Sequence, residues 1–279
     1  NAKIIDEVQI MRKTVLDGSN VSGFQRTALI AINGSIKTSK GEVKIPTICL
    51  EEEAAKKIKQ DEKTIFYNLD RLGIPLIEIA TDSSIKDPEH AKESAEIIGM
   101  ILRSTDKVKR GLGTIRQDVN VSIKGHPRVE LKGFQDLKGI PKTIENEIKR
   151  QLENLKSKKE IKSEVRKVET DFSSSFLRPM PTGSRMYPET DVKPVKITKE
   201  ILSKIEIPEL ITEKAINFEK KYKINQQMAR EILDSNIEFD YYAEKYRLNP
   251  SLIAELLVEY PKEIKKRFNA DPEKLSQKD

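Results

Sequence analysis

Two patterns of hydrophobic and polar positions divide the chain. Residues 1–140 alternate short apolar runs with glycines and turn residues, whereas from about residue 197 glycine disappears and apolar residues recur at helical spacing. In the first part, residues 4–16 read as one element, helix or strand. Residues 26–33 (RTALIAIN) read as a strand closed by the hairpin pair Asn33-Gly34. Residues 44–50 (KIPTICL) predict a further strand, and residues 51–60 a short helix opened by Glu51-Glu52-Glu53. Residues 74–80 (IPLIEIA) form an apolar run of strand length. Asp87-Pro88-Glu89 then has the order of N-cap, first helical residue and acidic first turn. The helix that follows places Ala91, Ala95, Ile98 and Leu102 on one stripe.

The clearest hairpin comes next. In RQDVNVSI, Arg116, Asp118, Asn120 and Ser122 share one face. In RVELK, Arg128, Glu130 and Lys132 share another, and Gly125 supplies the turn. The polar faces coincide only in a register that sets Asn120 opposite Glu130 and Asp118 opposite Lys132, because a slip of one residue exchanges the faces. A helix from near Pro141 carries the stripe Ile144, Ile148, Leu152 and Leu155. Residues 156–175 are charged and read as a solvated helix end and loop. Residues 176–196, with four prolines, read as an irregular ordered loop. Four helices follow, marked by Ala215–Phe218–Tyr222–Ile224, by Met228–Ile232–Leu233, by residues 242–246, and by Leu252–Ile253–Leu256–Leu257 after Asn249-Pro250. The expected fold class is α+β: an antiparallel-sheet core over residues 1–196 and a small all-α domain over residues 197–279.

Composition narrows the chemistry. No apolar run approaches the ~18 residues of a membrane span. The single cysteine, Cys49, excludes an internal disulfide and a cysteine-based zinc cluster. Together these point to an intracellular, cytoplasmic protein. The net charge of +6 is compatible with a polyanionic partner. Tryptophan is absent and aromatic residues are 5%, which argues against a stacking platform for single strands. Lys262, Lys265, Lys266 and Arg267 fit either phosphate contacts or a solvated helix face. P-loop and dinucleotide fingerprints are missing, and His90 and His126 enter no catalytic triad.

What remains is acidic. Glu78 lies inside PLIEIA, a run expected to be buried, so it needs a cation, a metal or hydrogen-bond donors. It fits a structural pair with Arg or Lys as well as a metal-ligand role. Glu52 gains meaning only if it converges on Glu78; otherwise the helix dipole explains the acidic triplet. The hairpin face with Arg116, Asp118, Asn120, Ser122, Arg128, Glu130 and Lys132 fits a solvated sheet surface. It fits equally the alternation of oxygen ligands and cations that ATP with Mg²⁺ requires. The loop of residues 17–23 reads as a turn or as a weak anion cradle.

The strings MRKTVLDGSNVSGFQRTALIA, NLDRLGIPLIEIATD, GLGTIRQDVNVSI, RVELKGFQDL and FLRPMPTGSRMYPETDV, in this order along nearly the whole chain, resemble the E-type members of the GatB/GatE family of tRNA-dependent amidotransferases. The resemblance implies a cradle-shaped antiparallel core followed by a helical, tRNA-holding region. It implies a carbon–nitrogen ligase that uses ATP and Mg²⁺ to phosphorylate the γ-carboxyl of Glu on Glu-tRNA(Gln). Ammonia released from glutamine or asparagine by an asparaginase-like D-type partner then gives Gln-tRNA(Gln). By matched position, Glu52 and Glu78 resemble the family's Mg²⁺ carboxylates, with Asp118 and Glu130 completing the acidic site. Arg116 and Lys132 stand as phosphate contacts, and Gln25 and Arg26 as part of the same wall; Glu78, Asp118, Glu130 and Lys132 form the catalytic set. Arg178, Arg185 and Glu189 lie in a matched segment and receive no role. The alternatives are a B-type family member acting on Glu-tRNA(Gln) or Asp-tRNA(Asn), and a non-catalytic tRNA-binding remnant.

Three departures from the family pattern accompany the resemblance. The chain opens at Asn1, downstream of the family's Glu/His-bearing strand. About 20 residues stand where E-type members carry an insertion domain. The chain ends at Asp279, ahead of most of the tRNA-binding tail. It is therefore expected to be the middle of a longer protein.

Overall fold

A computed structural model describes residues 2–16, 18–111, 113–157, 160–180, 183, 185–235, 237–270 and 272. Asp17 of the polar loop, Lys158 and Lys159 of the charged bridge, and Pro181, Thr182 and Ser184 of the proline-rich segment lie outside them. The chain divides into two compact units, one of Asn1–Ile98 with Ile115–Glu206 and one of Gly99–Thr114 with Ile207–Asp279. The fold class is α+β, as the sequence predicts.

The first unit runs β1 (Lys3–Ile4), β2 (Glu7–Val8), β3 (Ile10–Thr14), β4 (Phe24–Thr38), β5 (Gly41–Glu52), β6 (Lys56–Gln60), β7 (Ile65–Asn68), β8 (Pro75–Ala80) and α1 (Pro88–Ser104), whose last turns belong to the second unit. It continues with β9 (Val119–Val121), β10 (Val129–Lys132), α2 (Ile140–Lys156), β11 (Glu164–Val168), β12 (Ser174–Pro179), β13 (Met186–Pro188), β14 (Val195–Lys196) and α3 (Lys199–Ser203). The main sheet is antiparallel in the order β13-β3-β4-β5-β8, with β1 also paired to β4. A second sheet has the order β12-β11-β10-β9, in which β10 and β11 run parallel across the α2 crossover.

The β4–β5 hairpin is longer than the sequence predicts. Asn33 adopts the left-handed φ of 56° that the Asn-Gly pair signals, yet the strand continues to Thr38. Gly34 serves packing instead: a Cβ there would come within 3.1 Å of the Ala2 side chain. The turn falls at Ser39-Lys40. There the Thr38 hydroxyl donates to the Gly41 carbonyl at 2.6 Å and meets Nε2 of the fully buried His90 at 2.8 Å. His90 Nδ1 accepts from the Lys86 amide at 3.0 Å, so Nε2 carries the proton and donates to Thr38. This histidine fastens α1 to the hairpin.

Residues 51–60 do not form a helix. Glu51 and Glu52 extend β5, and β6 pairs with β7. The run PLIEIA is not buried either: β8 is an edge strand, and Ile77 and Glu78 both open to solvent. The bridge of residues 156–175 holds β11, one of the two inner strands of the second sheet. Val165 is fully buried there, while Arg166 and Arg150 both pair with Glu164, at 2.9 and 3.0 Å. These paired charges make an interior strand read as a solvated segment. In α2 the buried face runs through Thr143, Ile144, Glu147 and Gln151, and Leu152 is exposed. Gln151 turns inward because its amide serves the end of β9, donating to the Val121 carbonyl at 3.1 Å and accepting from the Ile123 amide at 3.0 Å. The segment after β12 contributes the short strands β13 and β14.

The second unit contains α4 (Ile211–Tyr222), α5 (Gln226–Asp234), α6 (Phe239–Tyr246), α7 (Pro250–Ala254), one π-helical turn (Glu255–Glu259) and α8 (Tyr260–Phe268). Asn225 and Asn249 cap their helices by accepting from the Met228 and Ser251 amides. The core gathers Ala215, Ala229, Ile232, Phe239, Ile253 and Ala254. Within this unit Arg103 and Arg110 bind Asp234, and Ser104 Oγ accepts from the Ile211 amide at 2.9 Å. These bonds join residues 99–114 to the helices. Among the described residues no helix is long and apolar enough to cross a membrane.

Candidate active site on the main sheet

Side chains alternate along a strand, and directly paired residues share a face. The register pairs Lys13 with Gln25, Thr27 with Glu51, and Cys49 with Glu78. These residues therefore stand on one face of the sheet. Arg12 pairs with Arg26, Leu50 with Ile77, and Glu52 with Pro75, which puts this second set on the opposite face. Glu51, rather than Glu52, is thus the neighbour of Glu78. The expected convergence of Glu52 on Glu78 does not occur, because Glu51 and Glu52 belong to a strand, where adjacent residues point apart.

The Glu51–Glu78 face carries unbalanced charge. Lys13 Nζ lies 2.7 Å from Glu51 Oε1, and Gln25 Nε2 donates to Glu51 Oε2 at 3.2 Å and to the Glu52 carbonyl at 3.0 Å. Partial removal from water pushes the Glu78 carboxyl above its ordinary value. The Glu51 charge and a hydrogen bond with Glu51 add to that rise, Asp118 adds a smaller push, and Lys13 opposes it. A like charge this near makes ionising Glu78 more costly. The Cys49 thiol is raised as well, first by burial and then by Glu78 and Glu51.

The hairpin stands in the register that the alternation predicts: Asn120 lies opposite Glu130, and Val119 opposite Leu131. Lys132 Nζ reaches Asp118 Oδ2 at 2.6 Å and Glu130 Oε1 at 3.0 Å. Burial works against the Lys132 charge, but its bonds to these two carboxylates leave the ammonium held above its ordinary range. Arg116 pairs with Glu53, the residue following β5. Both cations expected to meet phosphate are thus held by carboxylates. Asp118 is the hairpin group whose charge Glu78 feels, while Glu130 is engaged by Lys132.

The opposite face is charge-matched and closed. Arg12 grips Glu189 as a fork, Nε to Oε2 and Nη2 to Oε1, each at 2.6 Å. Arg26 Nε adds a third bond to Glu189 Oε2 at 2.9 Å, and its Nη1 reaches Glu52 Oε2 at 3.1 Å. Both guanidiniums lie over the Phe24 ring, at 4.7 and 5.2 Å. The Glu189 side chain is 0% exposed. The Arg12 fork draws its carboxyl down to about 2 against the opposing effect of burial, helped by the Asp191 amide and Arg26. Gln25 and Arg26 therefore serve different faces rather than one wall. Arg178 pairs with Val165 in the second sheet, and the Arg185 carbonyl accepts from the Thr14 amide at 2.8 Å. Glu51 and Glu189 are the residues that the sequence reading missed. Strand parity between β5 and β8 identifies Glu51; the lone buried acid of a proline-rich segment is the only sequence trace of Glu189.

Among the described residues, no three or more His, Cys, Asp and Glu side chains gather in an arrangement that could hold a metal ion. The face offers the Glu51–Glu78 pair, with Asp118 within electrostatic reach. That donor set fits Mg²⁺, which takes one or two carboxylates and completes its octahedron with water and phosphate oxygens.

The sequence profile of the GatB/GatE catalytic domain matches residues 1–203, which contain both faces of this site. The chain belongs to the GatB/GatE family. Among curated members, the E-type component of the glutamyl-tRNA(Gln) amidotransferase of Archaeoglobus fulgidus is 34% identical over 408 aligned positions, covering 100% of this chain and 66% of the relative. Its counterpart of the same name in Methanocaldococcus jannaschii is 34% identical, covering 99% of this chain and 66% of the relative. The counterpart in Pyrococcus abyssi is 61% identical over 162 residues, which are 58% of this chain and 26% of the relative. This GatB/GatE chain thus spans at most about two thirds of the length of these relatives. The first alignment needs 408 positions to accommodate 279 residues, so the relative carries a large amount of sequence within the aligned span that this chain lacks.

Proposed function

We propose that this chain is the kinase part of an E-type tRNA-dependent amidotransferase in the cytoplasm. It uses ATP to phosphorylate the γ-carboxyl of Glu on Glu-tRNA(Gln). Ammonia supplied by an asparaginase-like D-type partner then displaces phosphate and gives Gln-tRNA(Gln). The observation that carries this reading is the like-charged Glu51–Glu78 pair, Glu51 buried beside Lys13 and Glu78 open to solvent, inside a family-matched domain.

The chemistry suits these residues. A carboxylate is a poor electrophile, and its acyl phosphate has a good leaving group, so no protein nucleophile is required. The protein must position the groups and neutralise phosphate charge. Glu51 and Glu78 are the residues that would hold Mg²⁺, with Asp118 as the nearest further carboxylate. When bound, Mg²⁺ supplies charge neutralisation at the transferring phosphoryl group. Lys13, bound to Glu51, would be available to phosphate if Mg²⁺ took over that carboxylate, and Lys132 and Arg116 line the hairpin side. Both must exchange a carboxylate partner for phosphate, which makes phosphate contact dependent on substrate entry.

The test is Glu78→Gln, assayed as phosphate release from ATP in the presence of Glu-tRNA(Gln) and the ammonia-supplying partner. Turnover is expected to fall by about 10²–10³-fold, with an unchanged circular-dichroism spectrum. Wild-type turnover in this variant would overturn the assignment.

A further inference from the structure

Glu189 has no assigned role, and its surroundings give it one. The last rung between β4 and β5 is Thr27–Glu51. Beyond that rung the end of β5 is held from β4 by side chains. On one face Gln25 binds the Glu51 carboxylate and the Glu52 carbonyl. On the other face Arg26 binds the Glu52 carboxylate. Arg26 is 41% exposed and has a long, flexible side chain, so by itself it would sample many rotamers. Its direction is set by Glu189, whose Oε2 accepts from Arg26 Nε while the Arg12 fork holds both carboxylate oxygens. Glu189 is in turn fixed by its backbone: its amide donates to the Ile10 carbonyl at 2.8 Å, continuing the pairing of β13 with β3.

We propose that Glu189 is a positioning residue that sets the Glu51 side of the metal-binding pair through Arg26 and the end of β5, a role that rests on the reading of Glu51 and Glu78 given above. Glu189, on the segment bearing β13, lies 163 positions downstream of Arg26 in the chain. The carboxylate pair is therefore correctly spaced only after that segment has docked. Outer-shell partners of metal-ligating carboxylates typically control affinity by about 10- to 100-fold.

Two readouts test this, neither of them catalytic turnover. The first is Mn²⁺ affinity, measured by electron paramagnetic resonance on the whole protein. Glu189→Gln is expected to weaken it by about tenfold, and Glu189→Asp, which keeps the charge, by less. Arg26→Gln leaves the Arg12–Glu189 fork intact but removes the bonds from Arg26 to Glu189 and Glu52, so it should weaken Mn²⁺ binding to a similar degree. The second readout is hydrogen exchange of the Glu53 amide, which donates to the Ile74 carbonyl at 2.9 Å and reports directly on the end of β5. Exchange there should accelerate in both variants while the β9–β10 hairpin stays unchanged.

A purely structural Glu189 would lower the melting temperature but leave Mn²⁺ affinity and Glu53 exchange of the folded protein at wild-type values. That result overturns the proposal. If Glu189→Gln does not fold, Arg26→Gln decides alone, and wild-type values in it are equally fatal. Mn²⁺ binding that is lost in Glu78→Gln but unaffected in Glu189→Gln and Arg26→Gln keeps the metal reading and removes the positioning role. Absence of Mn²⁺ binding in the wild type, with faster Glu53 exchange in both variants, does the reverse.

Discussion

The two faces of strands β3, β4, β5 and β8 place the same residue type in opposite circumstances. On one face Glu78 and Glu51 repel each other; Glu51 is buried and bound by Lys13 and Gln25, while Glu78 opens to solvent on an edge strand. On the other, Glu189 is enclosed between two guanidiniums with every oxygen bonded. The Glu78 carboxyl is pushed up and the Glu189 carboxyl is drawn down to about 2. Burial disfavours both charges, so it does not separate the two cases; the balance of nearby charge does. The matched face is a fastening, complete as it stands. The unmatched face sets one lysine, Lys13, against Glu51 and Glu78, and it is on that deficit that the proposed Mg²⁺ site rests. Burial alone therefore does not mark the functional carboxylate: Glu51 and Glu189 are both buried, and the charge around each tells them apart.

The largest expected effect divides two adjacent residues. Glu51→Gln should reduce divalent-cation-dependent ATP turnover by about 10²-fold or more. Glu52→Gln should cost only about tenfold or less, through looser positioning of the strand end. Parallel measurements of metal dependence for the two variants would break the comparison if the losses were equal, since nothing but strand parity distinguishes Glu51 from Glu52.

A second prediction uses the opposite pKa directions. Glu189 has a folded value of about 2 against an ordinary value of 4.5. Its contribution to stability is complete above the ordinary value and is lost as pH falls from about 4.5 towards 2. Glu189→Gln should therefore melt several degrees below wild type at pH 7, with the gap closing towards pH 3. Glu78, raised above its ordinary 4.5, works with the opposite sign. The folded state binds its proton more tightly, so in the absence of metal Glu78 costs stability as pH rises above that value. Glu78→Gln should melt at or above the wild-type temperature at pH 7. Melting curves for both variants across pH 3–7 sharpen the distinction between site and fastening. Two curves shifted in the same direction would remove it.

How far the sequence reveals these faces depends on the range of the interaction that forms them. The β9–β10 hairpin was legible to the residue, because two strictly alternating strings admit one register that keeps polar faces together. The helices of the second unit were legible through their periodicity and asparagine caps. Glu51 was not, because EEE carries no alternation and a shift of one residue exchanges the faces. β11 was hidden by its own charges, which Arg150, Glu164 and Arg166 satisfy among themselves. Asn33-Gly34 gave the correct local φ and the wrong turn, since a strand can absorb a left-handed residue where close packing against Ala2 needs a glycine beside it. The Arg12–Glu189 fork joins residues 177 positions apart, and no local pattern announces a partner at that distance. For the same reason the inclusion of residues 99–114 in the helical unit has no signature in their own composition.

The smallest expected effect reports on the unmatched face without any substrate. Cys49 is the only cysteine of the chain and pairs with Glu78 in the sheet, so its alkylation rate reads the electrostatics of that face. Burial is the first cause of its raised thiol value and survives any change at Glu78; the Glu78 charge is the second. Glu78→Gln therefore lowers the thiol towards its ordinary 9.0 without reaching it. Because the thiolate is the reactive form, iodoacetamide at pH 8 should modify the variant roughly two- to threefold faster than wild type. Glu189→Gln, acting on the other face, should leave the rate unchanged. An unchanged or slower rate in Glu78→Gln would overturn the coupling of Cys49 to the Glu78 charge.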